Sequence, residues 1–113
     1  MRVYICGKLR SDAINYIKNL SRMIKEAEMV RKEGFSVFVP CLDILQAIYS
    51  GDCNFKELFD NSLEWLKVSD AVYVINNWRT SFGVKEEIRI AKSLGIPIFY
   101  NMKDLIKYRN TLK

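Results

Sequence analysis

The string Ser81-Phe82-Gly83-Val84-Lys85-Glu86-Glu87 lies a short polar loop beyond the apolar run Ala71 to Ile75. It reads as a strand, a loop, and a helix opening on a serine and a glycine. Glu87 falls on that helix's apolar stripe, with Val84 three residues before it and Ala91 and Leu94 four and seven after. At 3.6 residues per turn these side chains share a face. Glu86 belongs with Lys85, Arg89 and Ser93 on the polar face. An unpaired carboxylate among apolar residues is costly, so Glu87 needs a partner or a task. A helix start accepts anions, and a carboxylate beside one suits a phosphorylated substrate. The plainer alternatives are an ordinary serine cap and a buried acid paired to Arg10 or Tyr4.

A second polar loop, Gly7 to Ser11, follows the run Arg2 to Cys6. Gly7 lets backbone approach a ligand, Lys8 adds a cation, and Arg10 can grip a phosphate through forked hydrogen bonds. The alternative is a glycine turn followed by surface cations. Neither a dinucleotide-binding G-x-G-x-x-G nor a Walker loop is present. Tyr4 stands near the end of the first strand, where its hydroxyl could orient a carboxylate; a core aromatic is the other reading. Trp78 either stacks on a base, walls a pocket or anchors packing. Cys6 reads as a small buried residue rather than a nucleophile.

Strand runs Arg2–Cys6, Phe35–Val39, Ala71–Ile75 and Ile98–Tyr100 must position these groups, alternating with helical patterns. Asp12 caps a long helix to about Glu33, whose inward face reads Ile14, Ile17, Leu20, Ile24, Ala27 and Val30 or Arg31, with a Glu28–Lys32 pair outside. Gly34 stops it. A short helix over Leu42 to Tyr49 lies in an irregular segment. Phe55 to Val68 carries Leu58, Phe59, Leu63 or Ser62, Trp65 and Leu66 inward. Gly83 to Leu94 and Lys103 to Arg109 complete the helices. Asp70 opens the third strand and bonds nearby backbone. Strand–helix repeated in this order specifies an α/β fold: a single-domain, doubly wound (flavodoxin/Rossmann-like) parallel sheet of four to five strands flanked by helices, over residues 1–113. Ligands of such sheets sit at the carboxyl ends of the strands, where the loops after strands one, two and three converge.

Composition narrows the chemistry. Half of the 113 residues are hydrophobic, enough for a real core. No apolar run approaches the roughly 20 residues of a membrane span, and no secretory pattern opens the chain. Three cysteines at unrelated spacings suggest reduced thiols in a cytoplasmic protein. The absence of histidine removes Ser-His-Asp and Cys-His catalysis and the commonest transition-metal ligand, so no metal site is expected. A net charge of +5 fits an anionic ligand, while its mixed signs along the helices argue against a nucleic-acid surface.

Tyr4-Ile5-Cys6-Gly7-Lys8-Leu9-Arg10, Ser69 to Ile75, Trp78, Ser81 to Glu87 and Leu94-Gly95-Ile96-Pro97 together resemble the nucleoside 2-deoxyribosyltransferase-like superfamily, and within it a small phage and bacterial branch of unassigned function. The resemblance covers nearly the whole chain. It implies cleavage of a sugar–base bond, as hydrolase or transferase, without a cofactor. Glu87 falls on the carboxylate that attacks or stabilises the anomeric carbon, and Tyr4 on its tyrosine. Gly7, Arg10, Ser81 and Gly83 match the cradle for a 5′-phosphate. Ser81 stands where transferases acting on unphosphorylated nucleosides tend to carry Asp, which would repel phosphate, so the expected substrate is a nucleoside 5′-monophosphate.

Two departures accompany the match. Ser62 stands where these enzymes often have a second acid, eight residues before Asp70. Lys8 replaces a small polar residue. Loss of the acid bears on turnover more than on binding, which keeps open a nucleotide-binding or sensing module without catalysis, and a glycohydrolase acting on NAD or a signalling nucleotide. The resemblance also implies a homodimer or larger assembly, to which Asn101 or Met102 would contribute across an interface.

Overall fold

The computed structural model describes residues 1–112. The elements run β1 (Arg2–Cys6), α1 (Ala13–Lys32), β2 (Ser36–Phe38), α2 (Asp43–Ser50), α3 (Phe55–Lys67), β3 (Ala71–Val74), α4 (Phe82–Ser93), β4 (Ile98–Phe99) and α5 (Met102–Thr111). The four strands form one sheet in the order β2-β1-β3-β4, and every pairing is parallel. The doubly wound α/β expectation holds, with four strands. The chain order reverses at β1, so β2 and β3 flank it on opposite sides.

Side chains of β1 and β3 alternate between two cores. Val3, Ile5, Ala71, Tyr73 and Ile75 pack with Met23, Ala27 and Val30 of α1 and Leu105 of α5. Tyr4, Cys6, Val72 and Val74 pack on the other face with Leu66 of α3 and Val84, Ile88 and Ala91 of α4. Burial on both faces explains why β1 and β3 read as unbroken apolar runs. The period of two also places Tyr4 on the α4 side of the sheet, within reach of that helix's buried face.

Side-chain caps fix where the helices begin. Asp12 accepts from the Asn15 amide (2.9 Å), Asn54 from Glu57 (3.1 Å), Ser81 from Val84 (3.3 Å) and Asn101 from Asp104 (2.8 Å). Each satisfies an amide that the helix leaves without a partner.

Several packing expectations change. Of the expected inner face of α1, Ala27 and Val30 are buried and Leu20 packs on the core, but Ile14, Ile17 and Ile24 are exposed, and Met23 joins the inner face instead. The helix docks rotated towards Met23, which packs with Ala27 and Val30 in the core that holds Ile5 and Phe35. Glu28 pairs with Arg31 rather than Lys32. Leu94 lies beyond the last turn of α4 and is exposed, with Ile88 in its place on the buried face. Asp70 bonds across to β1, not locally: its Oδ2 accepts from the Arg2 amide (2.7 Å), tying the start of β3 to the central strand. Among the described residues, no helix is long and apolar enough to cross a membrane.

Candidate functional site

The loops after β1, β2 and β3 enclose a cavity of about 470 Å³ at the carboxyl ends of the strands, a size that suits a small metabolite. Gly7, Lys8 and Arg10 line it from the first loop, Asp43 from the start of α2, Ser62 from α3, and Ser81, Gly83 and Glu87 from α4. Tyr4 lies at its base.

Glu87 is only 7% exposed. Val84, Ile88 and Ala91 hold its turn of α4 against the sheet, so its side chain meets Tyr4. The Tyr4 hydroxyl donates to Glu87 Oε2. Burial pushes the Glu87 carboxyl up to about 7, and the Tyr4 hydrogen bond acts in the opposite sense. No cation pairs with Glu87 among the described residues. Burial, then the Glu87 charge, hold the Tyr4 hydroxyl well above the ordinary phenol range, so it stays a donor. The same two causes raise the Cys6 thiol, which leaves no thiolate to act as nucleophile.

At the wall formed by α4, the Ser81 hydroxyl and carbonyl take the Val84 and Lys85 amides. The Phe82 and Gly83 amides meet no protein acceptor among the described residues. A Cβ at Gly83 would find only ordinary contacts, Phe59 at 3.8 Å and Ser81 Oγ at 4.0 Å. Gly7 differs: a Cβ there would sit 2.8 Å from Ile75 Cδ1 and 3.2 Å from Met23 Cε. The core side of the loop is tight there, and the ends of Ile75 and Met23 would have to turn aside for a side chain.

Lys8 and Arg10 reach the cavity differently. Lys8 Nζ donates to Thr80 Oγ1 (2.8 Å), and its backbone amide donates to Asn77 Oδ1 (3.0 Å), so the first and third loops are joined. Arg10 lies over the Phe55 ring at 4.3 Å and pairs with no carboxylate among the described residues.

Trp78 and Asn101 are not brought to the cavity of their own chain. Trp78 packs against Tyr100, ring centroids 5.7 Å apart, with Arg79 over its face. Asn101 caps α5. In their place Thr80, Asp43 and Phe55 line the cavity, and Asn77, outside the lining, holds the Lys8 backbone. Asn77 and Thr80 carried no pattern in the sequence, because their roles depend on where Lys8 lies in space. Asp43 carried one signal, an acid opening a helix just past the second strand. Ser62 is buried, 3% exposed, and lines the cavity at the position where the resemblance called for an acid. No group of three or more potential metal ligands occurs among the described residues.

The family model DUF4406, described as a domain of unknown function, matches residues 1–100. No functionally curated protein matches the chain. Among solved structures, a 2-deoxyribosyltransferase from the psychrotolerant bacterium Bacillus psychrosaccharolyticus is similar, with a TM-score of 0.64 and 22% identity over 87% of this chain and 69% of that one. That likeness carries the fold, and it agrees with the parallel sheet and its flanking helices. The chain belongs to the DUF4406 family and has a nucleoside 2-deoxyribosyltransferase-like fold.

Proposed function

We propose that the protein cleaves the N-glycosidic bond of a nucleoside 5′-monophosphate, with Glu87 facing the anomeric carbon. The observation that carries this reading is the Glu87 carboxyl: buried, held by Tyr4, without a cation, and lining the same cavity as the open amides of α4. The phosphate would bind the Phe82 and Gly83 amides, where the helix dipole favours an anion, with Arg10 free to swing from Phe55 and close over it. The sugar then lies over Tyr4 and Glu87.

The C1′–N bond breaks with its electron pair leaving on the base nitrogen. Positive charge grows on the sugar ring, and the ionised Glu87 is matched to that charge more than to the neutral substrate. Water supplies oxygen to C1′ and a proton to the departing base; a second base in place of water makes the reaction a transfer. Tyr4 fixes the carboxylate and keeps its pKa from rising further.

The structural neighbour is a 2-deoxyribosyltransferase, which is consistent with this chemistry. The test is incubation with ribo- and deoxyribonucleoside 5′-monophosphates and the matching nucleosides, with free base measured by chromatography. Base release from a monophosphate, lost in Glu87→Gln, is expected. Failure to release base from any of them overturns the reading. A second reading, nucleotide binding without turnover, is favoured by Ser62, which leaves the cavity without a second acid at that position. Calorimetric binding with no base released would establish it.

A further inference from the structure

We propose that Asp43 is the base-reading residue of this cavity, accepting hydrogen bonds from an exocyclic amino group, so that the preferred substrates are nucleotides of amino-bearing bases; this rests on the nucleotide reading of the same cavity. The start of α4 follows β3, and Asp43 follows β2; these strands lie on opposite sides of β1. Two strand spacings separate them by about 10 Å. A ligand whose phosphate sits on the α4 amides, and whose sugar lies over Tyr4 at the end of β1, extends its base towards the β2 side. Asp43 lines the cavity on that side.

The surroundings of Asp43 fit such a ligand. It is half-buried, and it pairs with no cation among the described residues. Arg10, a cation in the same lining, lies on the Phe55 ring. Burial raises the Asp43 carboxyl, with the Ile44 amide opposing, as expected of an acid short of partners. Tyr16 and Phe55 line the same cavity and offer flat apolar surface to a heterocycle. Apart from Glu87, Asp43 is the one carboxylate in the lining among the described residues.

A carboxylate only accepts. Cytosine, adenine and guanine present amino donors, and guanine adds a ring N–H beside its amino group, which two carboxylate oxygens can take together. Uracil puts a carbonyl oxygen where cytosine has its amino group, and hypoxanthine a bare carbon where guanine has its own; their ring N–H can still donate, but the carboxylate oxygen that met the amino group is repelled or left unpaired. Ser62 could hydrogen-bond either class and cannot make this distinction.

The test uses matched pairs that differ at the amino group: cytidine against uridine monophosphate, and guanosine against inosine monophosphate, each as ribo- and deoxyribonucleotide. The wild-type protein is expected to favour the amino-bearing member of at least one pair by roughly 5- to 150-fold, in kcat/KM or in Kd. Asp43→Ala should bring that ratio to about one with the thermal midpoint retained. Asp43→Asn, which can donate as well as accept, should bring it to one or below. A wild-type protein indifferent within both pairs, or a preference unchanged in both variants, overturns the assignment. Binding that discriminates without base release leaves Asp43 in its role and removes the catalytic reading. Turnover without discrimination does the reverse. Neither binding nor turnover for any pair overturns both.

Discussion

The Tyr4 hydroxyl and Glu87 Oε2 are hydrogen-bonded across 83 positions of sequence, joining the central strand to the first turns of α4. The bond leaves Glu87 without a counter-charge, and burial holds its carboxyl near 7 against an ordinary 4.5. Folding therefore carries a cost that depends on pH. Below about 4.5 the carboxyl is protonated in both folded and unfolded chains. Between 4.5 and 7 the unfolded chain ionises first, and stability falls as pH rises; above 7 the loss is complete. A rise to about 7 corresponds to roughly 3 kcal/mol. Glu87→Gln should thus raise the melting temperature at pH 8, with the gain fading towards pH 4.5, while base release is lost. Denaturation of both proteins across this range measures it.

Base release should follow the same ionisation. The reaction uses the Glu87 carboxylate, so kcat/KM is expected to rise with pH through about 7, the value set by the free protein. Tyr4→Phe removes the hydrogen bond that lowers this pKa, and the rising limb should move to higher pH. The variant's deficit is then larger at pH 6 than at pH 9. An unmoved limb would mean that Tyr4 contributes packing alone.

The two glycines of the cavity should separate under the same substitution. Gly7→Ala presses a methyl against the terminal carbons of Ile75 and Met23, which can turn aside, and is expected to cost about 1 kcal/mol in stability. Gly83→Ala meets only ordinary contacts and leaves stability unchanged or raised by up to about 1 kcal/mol, since alanine is the better helix former. The added methyl obstructs an anion's approach to the α4 amides, so nucleotide affinity should fall by roughly tenfold or more, the scale of one charge-assisted hydrogen bond. Thermal melts and calorimetry on both variants decide it.

The sheet and the inward Glu87 were legible because local periodicity reports them. Its position near the end of the first strand placed Tyr4, and 3.6-residue spacing placed Glu87 beside Val84 and Ala91. In α1 the same periodicity misleads in part. Ala27, Val30 and Leu20 pack inward as their spacing indicates, but Ile14, Ile17 and Ile24 stay exposed, because the helix docks rotated towards Met23. Trp78 reads as a cavity residue from its loop, yet Tyr100 lies beside it after the chain has crossed to β4. The Asn77–Lys8 and Lys8–Thr80 bonds link residues about seventy positions apart, a relation that no local pattern encodes.

Arg10 offers the test of which substrate class the cavity takes. It lies over Phe55 without a carboxylate partner, and its guanidinium is the exposed cation able to close over a phosphate at the α4 amides. If the ligand is a nucleotide, Arg10→Ala should weaken binding by roughly 10- to 150-fold, the scale of a hydrogen bond to a charged group. The matching unphosphorylated nucleoside should bind the variant and the parent about equally. Stability should move little, because an exposed cation–π contact is worth about 0.5–1 kcal/mol. Arg10→Lys keeps the charge but not the forked geometry, and should recover only part of the affinity. Equal losses for nucleotide and nucleoside would place Arg10 beside the base instead, and the phosphate would then rest on α4 and Lys8 alone. Parallel titrations of the three proteins with one nucleotide and its nucleoside distinguish the two arrangements.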